Sequence, residues 1–489
     1  MVSVTIENGF SSIGIYKEFN QTDFGRIYYN LPSKYLEPKT TEELAKILKS
    51  YNQGSENVTI RGTGHSSNGQ TLTNSVQIGV GNIKKLDFDE EKLEITVGAG
   101  NSWNEVLQAI EFPEYCLPVF TNNPHQEIKM GGTAATGGGG PYSASQGGFW
   151  NHILAIKLVT MTGDIITCSK RENYELLKFS LGGFGRIGII SELTVRVVHS
   201  KTNVISPVLI YHDFDTYYRD LNSAMKDDIY DAVVGQTQLN YPEIMKPFKI
   251  KAYGIGLIVE VNEKDDIINI VHNIKQRFNQ DFLFFLKDGS SAHNPISLSS
   301  EVGTLHKRTV VYHHPKYTHK KQNQLNLCHA WSDYLLSKKQ YPIFMEKSRE
   351  IIKKYDLAKY SLKEPIFQNH FDVDVALTYC LKQLVKNSKD FFPLVLDLPR
   401  NRDYCFSEGI YLTVPSEEVE KSIAMINELT NLVYDLDGKR YLYGLSNLTP
   451  LQVEKQFGKD VIKKWQKIKD KLDPNHLLNI GVIPHLDNI

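Results

Sequence analysis

No ten residues of this chain are more informative than Arg61-Gly62-Thr63-Gly64-His65-Ser66-Ser67-Asn68-Gly69-Gln70. They follow the alternating run Asn57-Val58-Thr59-Ile60, which predicts a half-buried strand, so the glycines fall where that strand ends in a tight loop. Gly62 and Gly64 lack Cβ atoms and let successive backbone N–H groups turn inward as an anion-binding nest. Arg61 adds a positive charge suited to a phosphate. His65, a nucleophilic imidazole, sits mid-loop beside two hydroxyls and a carboxamide. A cofactor with a pyrophosphate and an electrophilic ring suits such a loop. A Gly-rich turn with a surface histidine is the plainer reading of the same residues.

On either side, residues 38–200 alternate short strands and helices, which predicts a compact α+β unit. Thr40 and Glu43 form a capping box ahead of the amphipathic run from Leu44, and Ser102 and Glu105 form a second one opening a helix through Ile110. Strands are predicted at 57–60, 75–80 and 92–97, and 153–160 with 165–169 read as a hairpin turned at Met161-Thr162-Gly163-Asp164. From about 203 to 435 the texture becomes a loose repeat of strand followed by amphipathic helix. In it, 207–211, 251–260, 371–375 and 409–414 read as strands, and the runs after them, including 376–385 and 417–432, as helices. Helices returning to one side of an antiparallel sheet is the economical arrangement. The stretch 289–350 reads as an inserted helical cap.

A second glycine run, Gly131-Gly-Thr-Ala-Ala-Thr-Gly-Gly-Gly-Gly140, has no Gly-Lys-Ser/Thr after it and is therefore no P-loop. Gly183-Phe-Gly185-Arg-Ile-Gly188 matches GxGxxG, yet it follows a helical stretch and precedes a strand, the reverse of a nicotinamide-binding turn.

Taken together, "RGTGHSSNGQ", "MGGTAATGGGG", "LVTMTGDIITCS…LLKFSLGGFGRIGIISELTVRV" and the ending Leu472-Asp-Pro-Asn-His-Leu-Leu-Asn479-Ile-Gly481 resemble the vanillyl-alcohol oxidase / p-cresol methylhydroxylase superfamily. The nearest look is to the cytokinin dehydrogenases. The resemblance implies a two-domain α+β fold: a PCMH-type FAD-binding domain over 1–200, a substrate domain over 201–435 built on an antiparallel sheet covered by helices, and a C-terminal return over 436–489. It implies FAD as cofactor, linked covalently to His65. The implied FAD contacts are Arg61, Gly62, Thr63, Gly64, Ser66 and Gln70 in the first loop, and Gly131, Gly132, Thr133, Thr136, Gly137 and Gly138 in the second. Ile189, in the strand beside the flavin, and Asn479, in the tail, complete the set. No cysteine lies in 125–145, so at most one covalent link is expected.

The implied reaction is oxidation of a C–N or C–OH group of a small metabolite by hydride transfer to flavin, with O2 or another carrier as acceptor. A sugar or aldonolactone oxidase, and a catalytically silent flavin-fold binding protein, are the alternatives. Cytokinin dehydrogenases take the substrate proton with an aspartate before the second loop; here Pro124 stands in its place, leaving the base open. His125 and Glu127 share that loop. His370, Asp372 and Asp374 alternate along a predicted strand, as a polar wall or a solvated face. Glu408, Tyr411, Tyr441 and Tyr443 are further candidates, each also readable as structural. His306, His313, His314 and His319 lack an acidic or cysteine partner at ligand spacing, so no metal is expected.

At 489 residues the chain exceeds one ordinary core. Its 55 basic and 56 acidic side chains cancel, so no positive field favours nucleic acid. No apolar stretch reaches transmembrane length, and the opening residues do not read as a signal peptide. Five scattered cysteines read as free thiols of a reducing compartment. The expectation is a cytoplasmic monomer or homodimer without nucleic-acid or membrane partner.

Overall fold

The structure, a computed structural model, describes residues 21–120, 128–238, 253–286, 298–299, 302, 304–307, 327–357, 375–382, 384, 390–395, 404–483 and 486. His125, Glu127, Pro124, His313, His314, His319, His370, Asp372 and Asp374 lie outside these residues.

Strands β1 (Lys34–Leu36), β2 (Val58–Arg61) and β3 (Val76–Gly79) form a parallel sheet in the order β1-β3-β2. Next come β4 (Leu86–Asp89), β5 (Glu94–Gly98), β6 (Tyr115–Cys116), β7 (Ile153–Val159), β8 (Ile165–Ser169), β9 (Ile189–Arg196) and β10 (Val198–His199). They make an antiparallel sheet, β4-β5-β9-β7-β8, and a separate β10-β6 pair. The helix Thr41–Tyr51 buries Leu44, Ala45 and Leu48 on one stripe. Thr40 caps it by accepting the Glu43 N–H at 3.0 Å, but the Glu43 carboxylate reaches the Lys39 N–H at 2.8 Å, so the expected box closes on one arm only. The Ser102/Glu105 box closes on both. The predicted β7–β8 hairpin is formed, and Gly163, at φ +85°, makes its turn.

Part of the second glycine run is a helix, Met130–Thr136, rather than a loop. An added Cβ on Gly131 would lie 2.6 Å from the Ala99 Cβ, so glycine there permits close packing on the segment after β5. Gly137, at φ +75°, ends the helix and donates its N–H to the Thr133 carbonyl.

The remaining strands are β11 (Asn203–Ile205), β12 (Pro207–Tyr211), β13 (Ala232–Gln238), β14 (Tyr253–Val261), β15 (Phe282–Leu286), β16 (Leu298–Ser299) and β17 (Leu305–His306). After them run β18 (Leu327–Leu336), β19 (Val375–Lys382), β20 (Tyr404–Pro415) and β21 (Lys439–Tyr441). Together they form an eleven-stranded sheet whose main path is β16-β15-β12-β14-β13-β19-β20-β18-β21. Two expectations are corrected here. Residues 376–385 were expected as helix; β19 instead runs through the sheet, paired on both edges. A strand buried on both faces shows an apolar run without clear alternation, which periodicity cannot separate from a helix. The stretch 289–350, expected as a helical cap, contributes β18, the ten-residue neighbour of β20, and only then the helix Gln340–Tyr355.

The helices Phe214–Ala224, Gln340–Tyr355 and Val419–Asp435 cover one face of this sheet, carrying Tyr217, Tyr341 and Thr430 onto the side of Phe406, Glu408 and Arg440. The opposite face meets the smaller sheets. Lys307 stands fully buried where they meet, bonded to Glu260 and Ser200 and 3.7 Å from the Cys116 sulfur.

The C-terminal tail is stitched beneath β2. The Val58 N–H donates to the Leu477 carbonyl and the Asn479 N–H to the Val58 carbonyl, both at 2.8 Å. A fully buried ion pair, Lys469 Nζ to Asp473 Oδ2 at 2.7 Å, holds the turn before it. Asp473 accepts the Leu477 and Leu478 N–H groups, while Lys469 donates to the Arg186 and Leu478 carbonyls. Removing one member strands the other's charge. Asp473→Ala is therefore expected to cost about 3–5 kcal/mol of stability, read as a lowered denaturant midpoint, and unchanged unfolding would refute the tie.

Candidate functional site

The 61–70 loop folds around its own arginine. Arg61 is fully buried, and an added Cβ on Gly64 would lie 2.1 Å from its guanidinium. Gly64, at φ +73°, is what lets the backbone pass. The guanidinium donates to the Thr22 carbonyl at 3.0 Å and the Thr71 hydroxyl at 3.2 Å. Its charge thus lies under the loop rather than on the loop's open side. Burial lowers its pKa to about 10, against the pull of Asp23.

Asp23 is the loop's second buried charge. It accepts the Ser66 hydroxyl at 2.9 Å and the Gly69 N–H at 2.8 Å. Burial pushes its carboxyl up to about 6, with those bonds and Arg61 opposing. The Phe24 and Gly25 N–H groups donate to the Gly64 and Ser66 carbonyls, so the loop turns these carbonyls toward 23–25. Gln70 ties the other end, donating to the Leu442 and Tyr443 carbonyls at 3.2 and 3.1 Å.

Half-buried His65 stacks on Phe24 with centroids 4.3 Å apart. Phe24 stacks in turn on His329 at 4.5 Å, and Trp331 meets Phe24 edge-on at 4.8 Å. Along β18 the alternation His329-Ala-Trp331-Ser-Asp333 puts these three side chains on one face. Trp331 contacts Tyr411 at 5.1 Å, and the Tyr411 hydroxyl donates to Asp333 Oδ1 at 2.8 Å. The Tyr443 phenol acts on the same carboxyl, and its ring lies 4.6 Å from that of Tyr441. The Tyr441 phenol lies against Thr136 at the end of the helix Met130–Thr136. One continuous wall therefore runs from His65 to Thr136.

Asp333 is 2% exposed, and burial raises its carboxyl to about 6, opposed by Tyr411, Tyr443 and Arg440. Tyr443 is pushed well above the ordinary phenol range by burial and by the Asp333 charge, so it remains a donor.

Three further expected contacts point into the protein. The Thr133 hydroxyl is taken by the Trp103 indole N–H at 3.0 Å and the Lys129 carbonyl, leaving Thr136 as the threonine facing the wall. The Asn479 carboxamide accepts the Ile60 N–H and donates to the Phe184 and Gly185 carbonyls. Ile189 lies in the core with Val58 and Leu478. His306 is exposed. Among the described residues, no group of three or more His, Cys, Asp or Glu is placed to hold a metal.

Of the proposed bases, Tyr443 is on the wall and Glu408 is not. Glu408 pairs in register with Tyr334 and Thr378, on the helix-covered face, and accepts the Thr237 and Thr378 hydroxyls at 2.7 and 2.5 Å. Burial pushes it up to about 7, yet its oxygens face those hydroxyls and not the wall. Asp23, Phe24, Trp331 and Asp333 were missed. The period-two alternation at 329–333 was the available signal, hidden by reading that stretch as a cap.

The two glycine segments fit a dinucleotide. An added Cβ on Gly132 meets nothing within 4 Å, and one on Gly62 meets only the Lys129 side chain, at 3.6 Å. Backbone is therefore open to close approach at both points. Gly132→Ala is expected to leave unfolding of the FAD-free protein unchanged but weaken FAD binding about tenfold, roughly 1.4 kcal/mol of overlap. Gly131→Ala should instead destabilise by about 1–3 kcal/mol. Fluorescence titration with FAD beside thermal unfolding separates the two, and equal behaviour would refute the cradle.

Comparison with known proteins agrees. The FAD binding domain family matches residues 32–169. Cytokinin dehydrogenase 2 of Arabidopsis thaliana is 28% identical over 265 residues, 51% of this chain and 52% of that protein. Cytokinin dehydrogenase 7 of Oryza sativa subsp. japonica is 28% identical over 234 residues, 45% of this chain and 44% of that one. An uncharacterized oxidoreductase, ORF5 in the fasciation locus of Rhodococcoides fascians, is 27% identical over 220 residues, 45% and 49% of the two chains. The chain spans about half the length of the curated relatives it matches. No described helix is long and apolar enough to cross a membrane. With its α+β architecture, the chain carries an FAD binding domain over residues 32–169, and FAD is its cofactor.

Proposed function

We propose that this chain is an FAD-dependent oxidoreductase that oxidises a C–N or C–OH group of a small metabolite, with FAD joined covalently to His65. In this reading residues 1–200 and 436–489 hold the cofactor and 201–435 roof it, although β21 (Lys439–Tyr441) already belongs to the large sheet. The observation that carries the reading is the wall from His65 to Thr136, with one buried carboxyl, Asp333, at its centre.

The first-loop residues Gly62 to Ser66 and the backbone at Gly132 would hold the cofactor, with Thr136 at the roof. Bound FAD would supply the hydride acceptor, with dioxygen or another carrier as the final electron acceptor. The chain's own residues supply the rest. Trp331, Tyr411, Tyr441 and Tyr443 present apolar ring faces that position a substrate and exclude water. Asp333 Oδ takes the proton from the substrate N–H or O–H as the C–H bond breaks. The Tyr411 and Tyr443 phenols orient that carboxylate, and its raised pKa puts it near the range an effective base needs. Asp333 would thus do the work of the aspartate replaced at Pro124. The phenol-lined wall also suits a polyhydroxylated substrate, which keeps a sugar or aldonolactone as the second reading. A protein that only binds would have no need of a buried base beside its flavin loop.

Asp333 works only when ionised, so kcat/KM should be full above pH 6 and fall as the pH drops through about 6. Asp333→Asn should lower kcat about 10²–10⁴-fold while leaving FAD content unchanged. A variant retaining wild-type turnover would remove Asp333 from the reaction. Acid precipitation tests the link: yellow colour in the pellet for the wild type and in the supernatant for His65→Ala is the expected result. Colour pelleting with His65→Ala would put the bond elsewhere.

A further inference from the structure

The segment Asp23–Arg26 lies between the two halves of the site. On one side it holds the glycine loop, through the Phe24 and Gly25 N–H groups and the Asp23 carboxyl. On the other it holds β18: the His329 N–H donates to the Gly25 carbonyl at 2.8 Å and the Cys328 thiol to the Arg26 carbonyl at 3.3 Å. From its middle the Phe24 ring, 3% exposed, is inserted between two imidazoles. It stacks on His65 with planes 15° apart and on His329 with planes 11° apart. His329 is itself fixed, its Nδ1 lying 3.0 Å from the Thr413 hydroxyl of β20.

We infer that Phe24, backed by His329, is a positioning residue for the covalent attachment of FAD: the three-ring stack sets the plane of His65 and so the direction of its attacking nitrogen. This rests on the His65 bond proposed above. A histidine on a glycine loop rotates about two side-chain bonds, and nothing in a glycine-rich backbone limits it. Attachment needs one orientation. A His65 ring nitrogen must lie in line with the 8α-methyl carbon of the flavin. The N–H of His65 and one C–H of that methyl are exchanged for a C–N bond. The two electrons and two protons released pass through the flavin to dioxygen, which leaves as hydrogen peroxide. Stacking on a ring that cannot move, because it is clamped against β18, holds the imidazole near that line before the cofactor arrives, and pre-orientation of this kind acts on rate. β18 also carries Asp333, so the same contact ties the loop that bears the attachment point to the strand that bears the proton acceptor.

The test is the time course of attachment in protein prepared without FAD and then supplied with FAD in air, reading acid-precipitable flavin and, separately, total bound flavin. Wild type should attach FAD. Phe24→Leu, which keeps an apolar side chain but no ring, should bind FAD yet attach it about tenfold more slowly or worse. Phe24→Tyr, which restores the ring, should attach within about twofold of wild type. Should Phe24→Leu fail to bind FAD, His329→Leu decides by the same criterion, since it leaves Phe24 in place and removes only its backing. Attachment at the wild-type rate in the deciding variant would overturn the inference. Wild type that binds FAD but never attaches it would sink the His65 bond, and this inference with it.

Discussion

A guanidinium and a carboxyl buried under a glycine loop are the constraint on which the rest of this site depends. Arg61 occupies the volume where a side chain on Gly64 would sit, and Asp23 gathers Ser66 and Gly69 around it. Neither charge is placed to meet solvent, and burial shifts both toward neutrality, Arg61 down to about 10 and Asp23 up to about 6. Two such groups are tolerated because each answers the other and because backbone and hydroxyl groups hydrogen-bond to both. The consequence reaches beyond the loop. Ordering Asp23 orders Phe24 to Arg26, and that segment is where β18 docks. A charge pair that looks local therefore sets the register between the cofactor loop and the sheet that faces it.

The same logic explains which parts of the molecule were legible in the sequence. The first loop, the hairpin at 153–169 and the Ser102 cap were readable because their signals are local: glycines needing positive φ, turn residues, a hydroxyl three residues before a carboxylate. Membership of the wall was not local. Asp333 looks like any polar residue in a strand until β20 brings Tyr411 opposite Trp331 and the chain returns with Tyr443. Phe24 carries no motif at all; its role comes from the ring on either side. Arg61 was legible as a charge but not as a buried one, since only the fold of the loop shows that the guanidinium turns under the glycines. Likewise Asn479 reads as a site residue by position, whereas its amide is used to join the tail to β2 and to the turn at Phe184.

Helix and strand were confused where burial is two-sided. β19 has partners on both edges and neighbours on both faces, so its run Ala376-Leu-Thr-Tyr-Cys-Leu carries no alternation that would betray a strand. β18 does alternate, but it lies within the histidine-bearing stretch 289–350, which shows few clear periodicities elsewhere. The misreading had a functional cost, since the strand taken for a cap is the one that carries the proposed base.

Glu408 and Asp333 show how little composition alone decides about function. Both are buried carboxyls in adjacent strands, both raised by burial, and they lie at neighbouring register positions, Asp333 opposite Gly409 and Glu408 opposite Tyr334. The pleat sends one to each face. Glu408 meets a ring of threonine and tyrosine hydroxyls supplied by β13, β19 and the helix Gln340–Tyr355, and there its carboxyl is a packing element of the sheet. Asp333 meets two phenols on a wall that begins at His65, and there the same chemical group is the proposed proton acceptor. What separates a structural carboxyl from a candidate base here is the parity of one residue in a strand. A one-residue slip of β18 would exchange Asp333 for Ser332 or Tyr334 on the wall. The clamp of His329 between Phe24 and Thr413 opposes that slip at the end of the strand nearest the loop.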